Sequence, residues 1–239
     1  AVNMCDRDQS NFESALNSIK ESVGRAAFPF MIPVNEGEGF NAVVDVLNKK
    51  LHTYKNDGSG SFDSTDLDSD WAERASSLNE ELMELVAESD EKLLEKYFDD
   101  GELSSEDMTN GIKNAIITKS LIPVFCTSST QNIGVTCMMD MILSFSPTAQ
   151  DTKDPDASGM SAFVFKTVSQ EHVGEISYFR VFSGNINSGE DVKNTGKNDT
   201  EKMRQLFSTC GNERIELDKV GNGDIGAALK LKNTNTCDT

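Results

Sequence analysis

The sequence predicts an α+β chain of two modules, a mixed helix-and-strand part followed after residue 160 by an antiparallel β-barrel or sandwich. Three observations predict it. Apolar residues recur at helical spacing through much of the first part and alternate with a period of two from Ala162 onward. The charge changes at the same place: the whole chain of 239 residues has 40 acids, 22 bases and a net charge of −18, whereas residues 157–239 hold 11 acids and 10 bases. Between the two parts, Pro147 to Met160 carries two prolines and no apolar period, the composition of a linker. The modules are therefore 1–147 and 161–239, with 148–160 joining them.

Phe12, Ala15, Leu16, Ile19 and Val23 lie three and four apart, and Gly24 stops the helix they define. Phe28 to Val34 is a short apolar run between prolines, and Phe40 to Tyr54 is β-rich and reads as strand. Lys55 to Ser61 is a turn by composition. Residues 61–107 contain 17 acids, yet Leu78, Leu82, Leu85 and Val86 form a stripe at helical spacing. Ser89 or Asp90 caps a second helix, and Ser104 with Asp107 three residues on opens a third in the manner of a capping box. Leu121 to Cys126 reads as a buried strand, Thr127 to Asn132 as a polar loop and Gly134 to Ser144 as a helix, an α/β unit. In the second module Phe163 to Phe165, Ile176 to Phe182 and Ala227 to Lys232 alternate, with turns at Ser183-Gly-Asn and Asn187-Ser-Gly.

Several chemistries are excluded or disfavoured by the text. No apolar stretch approaches the ~20 residues of a membrane span, and no charged-then-apolar leader opens the sequence. Five cysteines without a two-residue spacing write neither a zinc ribbon nor a redox pair, and His52 and His172 stand apart from any metal-ligand spacing. Gly221-Asn-Gly-Asp-Ile-Gly226 has the letters of a dinucleotide fingerprint but runs into an alternating strand rather than a helix, so it is a turn. Asp218-Lys-Val-Gly221 fails as a nucleotide switch for the same reason. No glycine-lysine phosphate loop is written anywhere, so this chain by itself is not expected to hydrolyse nucleotide.

The segment Val2-Asn-Met-Cys-Asp-Arg7, followed by the Phe12 helix, resembles the guanine-reading segment of translational GTPases, most specifically elongation factor G, where it runs Asn-Lys-x-Asp-Arg. The resemblance continues through Ile32-Pro-Val34, Val44-Asp45, Leu85 to Tyr97, Ile122-Pro-Val124, Gly174 to Gly184 and Leu231 to Thr239, in one order along nearly the whole chain. It implies the C-terminal part of a P-loop GTPase α/β domain, with an inserted α/β subdomain over about 28–120, followed by an antiparallel β-barrel. It also implies an internal stretch of a longer factor, whose phosphate loop and switches precede Ala1 and whose barrel is cut near its last strands.

The resemblance assigns residues. Asn3 and Asp6 would hold the guanine edge, and Ser128 in the later loop would offer a backbone donor to the base carbonyl. GTP or GDP with magnesium would be the ligand of the longer factor, bound poorly by this stretch alone. Two departures bear on that: Met4 stands where the family has Lys, and Thr127-Ser-Ser129 with Gln131 replaces a Gly-Ser-Ala-then-Lys pattern. These imply weakened or altered GTP use. The expected partner is the ribosome, with cytoplasmic location and a monomeric chain. The barrel would dock on the small subunit through ribosomal RNA, with Lys193, Lys197, Lys202 and Arg204 on phosphates. The acidic insert would face the ribosomal stalk protein, with Glu73, Glu80, Glu84 and Glu88 as a surface that could steer a basic partner or simply keep the helix soluble. GTP-coupled translocation is the implied activity. A ribosomal protection protein of the same superfamily and a non-enzymatic acidic binding module are the rivals.

Overall fold

The computed structural model describes residues 1–149, 151, 159–211 and 213–239. Its chain divides into two compact units, Ala1–Ser146 and Pro147–Thr239. Most of the segment read as a linker lies outside the described residues.

In the first unit α1 (Phe12–Val23) is capped by Asn11, whose side chain accepts from Ser14 N, and buries Phe12 and Leu16. The apolar run after it is two strands, β1 (Ala27–Pro29) and β2 (Met31–Pro33), which leave for different sheets. The stretch read as one strand from Phe40 to Tyr54 is a hairpin, β3 (Ala42–Asp45) and β4 (Lys50–Tyr54), to which β5 (Phe62–Asp66) adds an edge. Together they form the antiparallel sheet β2-β3-β4-β5. Three helices follow: α2 (Ser69–Ala87), α3 (Glu91–Asp100) and α4 (Ser105–Ile117), capped by Asp68, Asp90 and Ser104. Asn79 ties α2 to the sheet, its buried amide donating to the carbonyls of Val46 and Leu47 at 3.2 and 3.3 Å. At Gly111 of α4 a β-carbon would overlap Val86 Cγ1, so glycine is what lets α4 lie this close.

The strand β6 (Ile122–Val124) pairs in parallel with β1, and α5 (Val135–Phe145) follows it. One continuous core joins all these elements, with Phe12, Phe28, Phe30, Met31, Phe40, Leu82 and Ile112 among its most buried members. His52 belongs to it: buried beside Asp45 at 3.5 Å and stacked on Phe62, it is a packed side chain and stands apart from the polar turn described below.

The second unit is all β. The strands β7 (Ser161–Gln170), β8 (Gly174–Ser183), β12 (Leu206–Cys210), β13 (Glu213–Leu217) and β15 (Ile225–Leu229) make an antiparallel sheet in the order β13-β12-β15-β8-β7. Two short pairs complete it, β9 (Ile186–Asn187) with β14 (Lys219–Val220) and β10 (Asp191–Asn194) with β11 (Asp199–Lys202). The last residues are hydrogen-bonded into this unit. Cys237 N donates to Val164 O and Val164 N to Asp238 O, while Thr195 N reaches Thr239 O, so this segment bridges β7 and the β10-β11 hairpin. Phe179, Val181, Ile186, Met203, Leu206 and Val220 fill the inside. A smaller cluster of Ile176, Phe207 and Ala227 forms apart from it. The α+β expectation with a terminal antiparallel barrel holds.

Candidate functional site

The first candidate site is made where the beginning of the chain meets the loop after β6. Val2 bridges Cys126 in parallel: Val2 N donates to Phe125 O at 2.7 Å, Thr127 N to Val2 O at 2.9 Å and Cys5 N to Thr127 O at 3.1 Å. The backbone ladder ends there, and both chains turn. Asn3 Oδ1 accepts from Ser129 N at 3.0 Å, Ser129 Oγ at 3.0 Å and Thr127 Oγ1 at 3.3 Å. The Asn3 side chain thus faces the loop that carries Ser128, across more than 120 residues of sequence.

Asp6 lies in the same turn. Its side chain is only 9 % exposed, its Oδ1 is buried without a hydrogen-bond partner, and its Oδ2 is 3.9 Å from Arg7 Nε. A carboxylate oxygen left in this way costs about 1–3 kcal/mol, and the cost falls away when a donor arrives. The turn is held from outside: Gly37 N and Ser10 Oγ both donate to Cys5 O, at 2.8 and 3.0 Å, and Glu36 Oε1 accepts from Phe12 N at 2.7 Å. Burial pushes the Cys5 thiol up and the Cys126 thiol well up, so both stay protonated and line the inner wall. Nothing local in the sequence marks Glu36 and Gly37, because their contacts are with residues more than 20 positions earlier.

Ser128 needs a correction. Its N–H donates to Ile133 O and its O accepts from Ile133 N, both at 3.0 Å, and the residue is fully buried. The antiparallel bridge that shapes the loop therefore uses the donor expected for a base carbonyl. Gly134 seals the loop: its φ of 74°, and the Cys126 carbonyl oxygen lying where a β-carbon would be, leave room for no side chain. Met4 is exposed and holds a left-handed φ of 68°.

The acidic candidates Glu73, Glu80, Glu84 and Glu88 are all exposed at helical spacing along α2 and the residue that ends it. Glu88 is bonded to Arg25 at 2.5 Å. The basic candidates are not brought together as a foursome. Lys197 Nζ donates to Asn233 O at 2.5 Å and stands 3.0 Å from Asp238 Oδ2, and Lys193 lines a cavity at the barrel's interior with Phe179 and Leu231. Lys202 and Arg204 instead line a different cleft with Lys230 and Lys232, two lysines that a reading by sequence proximity passes over.

Among the described residues no helix is long and apolar enough to cross a membrane. Residues 159–239 match the family model described as Elongation factor G domain 2. Over 99 % of its length the chain superposes on a crystal structure of a Thermus thermophilus protein, with a TM-score of 0.83 at 22 % sequence identity. It spans 34 % of that protein's length. The barrel is therefore of the elongation factor G domain 2 type, and the likeness of the remainder is one of fold.

Proposed function

We propose that this chain is the central part of an elongation-factor-G-like translation factor, in which the turn of Asn3 and Asp6 and the loop 127–133 close one side of a guanine pocket. The observation that carries this is the buried Asp6 Oδ1 without a partner, in a turn whose other polar groups are bonded to each other. Guanine offers two adjacent N–H donors on one edge, which is what a lone carboxylate lacks here. The donor set fits the base in part: Asp6 supplies the acceptor and Asn3 fixes the loop, while Met4 contributes apolar bulk without a charge. The phosphates and magnesium would be held by residues this chain does not contain. GTP-coupled translocation would be the activity of the longer factor. Met4 and the occupied Ser128 N–H support a weakened grip on the base.

In this reading the barrel docks on the small ribosomal subunit in the cytoplasm and the exposed glutamates of the acidic insert face the ribosomal stalk protein. The test is guanine-nucleotide titration of the longer protein with Asp6→Asn. An amide presents an N–H where the carboxylate presented a lone pair, so affinity should move from guanine to xanthine nucleotides, which carry a carbonyl at the corresponding position. Unchanged guanine affinity would remove the pocket. A chain that never co-sediments with ribosomes would favour the acidic binding module instead.

A further inference from the structure

The sheet β2-β3-β4-β5 is antiparallel throughout, so the connection from β2 to β3 and the connection from β4 to β5 emerge at the same end. The first is residues 34–41 and the second residues 55–61. Phe40 N donates to Gly37 O at 3.0 Å and Asn35 Nδ2 to Gly39 O at 2.6 Å, which shapes the first loop. The second closes by Lys55 N donating to Ser61 O at 3.0 Å, with left-handed φ values of 71° and 73° at Gly58 and Gly60. Tyr54 N donates to Asn41 O at 2.8 Å, so the two loops are joined at their bases.

Each loop holds a different half of the turn that Asn3 and Ser129 bring together. From the first, Gly37 N donates to Cys5 O at 2.8 Å and Glu36 Oε1 accepts from Phe12 N at 2.7 Å, which fixes the stretch of chain on both sides of Asp6. From the second, Gly58 O accepts from Asn132 Nδ2 at 3.2 Å and Gly60 O accepts from Thr136 Oγ1 at 2.7 Å. Asn132 belongs to the loop 127–133, and Thr136 lies in the first turn of α5. Beside them Tyr54, 3 % exposed, donates its hydroxyl to Cys137 Sγ at 3.0 Å. The fit at this prong is close, since a β-carbon on Gly60 would come within 2.6 Å of Asn132 Nδ2 and 3.0 Å of Thr136 Oγ1.

We infer that this sheet is a two-pronged clamp on the base pocket, with Glu36 and Thr136 as positioning residues that set how Asp6 stands to the loop 127–133. The geometry of the clamp stands on its own, while its consequence for binding rests on the guanine reading of the pocket. A carboxylate that accepts from two adjacent N–H groups of one base needs both bonds short and aligned, and a small displacement costs one of them first. Hypoxanthine carries the ring N–H of guanine and lacks the exocyclic amine, so it reports which bond is lost.

The experiment is titration of the longer protein with guanosine and inosine diphosphates, read as the ratio of their dissociation constants. The unmodified protein should prefer the guanosine form by about tenfold or more. Glu36→Ala removes the acceptor from an exposed side chain, and Thr136→Val removes the hydroxyl at constant shape. Each should lower the ratio by about three- to tenfold. The double variant should fall no further than the worse single one, because either release frees the same spacing. Glu36→Gln and Thr136→Ser keep the acceptor and the hydroxyl and should restore the ratio. Asp66→Asn, which breaks the 2.6 Å pair with Lys50 at the opposite end of the same strands, should leave it alone. General loss of stability weakens both nucleotides alike and does not move the ratio. A second reading needs no nucleotide: in the 239-residue chain, exchange of the Ser129 amide, bonded to Asn3 Oδ1, should quicken by about tenfold in Glu36→Ala and in Thr136→Val. Unchanged exchange in both variants would overturn the clamp, and so would additive losses in the double variant. A ratio that Asp6→Asn moves and the clamp variants do not keeps the guanine reading and overturns the clamp. Quickened exchange with a ratio that none of these variants moves, Asp6→Asn included, keeps the clamp and removes the guanine reading.

Discussion

The two units solve opposite electrostatic problems. Ala1–Ser146 is strongly acidic, and its candidate site is a turn whose polar groups are mostly bonded to one another, leaving a single buried acceptor at Asp6. Pro147–Thr239 is almost neutral, and its cleft gathers Lys202, Arg204, Lys230 and Lys232 beside Asp191 and Glu201, a surplus of positive charge. The difference teaches that charge totals and site charge are separate properties. A preorganised acceptor in a satisfied turn selects by hydrogen-bond pattern, while a cationic concavity selects by charge and spacing and responds to salt.

The contrast extends to stability, because the first unit has one continuous core and the second has two smaller ones. Phe30 tests this with the largest effect. It is 1 % exposed and stacks with Phe28, Phe125 and Phe145 at centroid distances of 6.4, 5.9 and 6.4 Å. Phe30→Ala should cost about 3–5 kcal/mol, seen in urea denaturation as an early transition of the first unit with the barrel transition in place. A single merged shift of both transitions would show that the units do not unfold independently.

Gly134→Ala should come next, at about 3 kcal/mol, since it forces a β-carbon onto the Cys126 carbonyl at a left-handed φ. The same denaturation experiment reads it, and a change below about 1 kcal/mol would mean the loop can relax. Asn3→Ala removes the acceptor of three hydrogen bonds at a partly solvated site and should cost about 1–2 kcal/mol. Amide hydrogen exchange at Ser129 should quicken, while the β8 and β15 amides keep their protection.

The smallest effect belongs to the barrel. Asp238 is held down to about 2 from the usual 3.8 by the Asn235 backbone N–H, the Asn194 amide and the Lys197 ammonium. A carboxyl whose folded value is lowered stabilises the fold above its unfolded value, and that contribution fades as the pH drops from about 4 toward 2. Asp238→Asn should lower barrel stability modestly at neutral pH and flatten its decline over that acid window, as followed by thermal melts at several pH values. An unchanged acid limb would show that Asp238 titrates alike in the folded and the unfolded chain.

Much of the architecture was legible in the text because its causes are local. Asp90 and Ser104 cap helices from their own side chains, and the leucine stripe of α2 needs only its own periodicity. The strand β5 was not legible. Asp63, Ser64, Thr65 and Asp66 look like part of an acidic coil, and they become a strand by pairing with β4 while Phe62 packs on Tyr54 and His52. Likewise Phe28 to Val34 reads as one run and is two strands, because β1 finds β6 more than 90 residues away and β2 finds β3. At the sites, Asn3 and Asp6 were visible through a motif. The engagement of Ser128 by Ile133, and the clamp by Glu36 and Gly37, were not.

Composition, periodicity and capping residues were enough to set the two-module α+β plan, the acidic first part and the alternating second. These depend on each residue's own preferences and those of neighbours within a turn or two. Which cations share a cleft, which donor is already taken and which carboxylate oxygen waits without a partner depended on the folded chain. Those properties arise where backbone pairing joins segments far apart in sequence, and no local preference encodes the match.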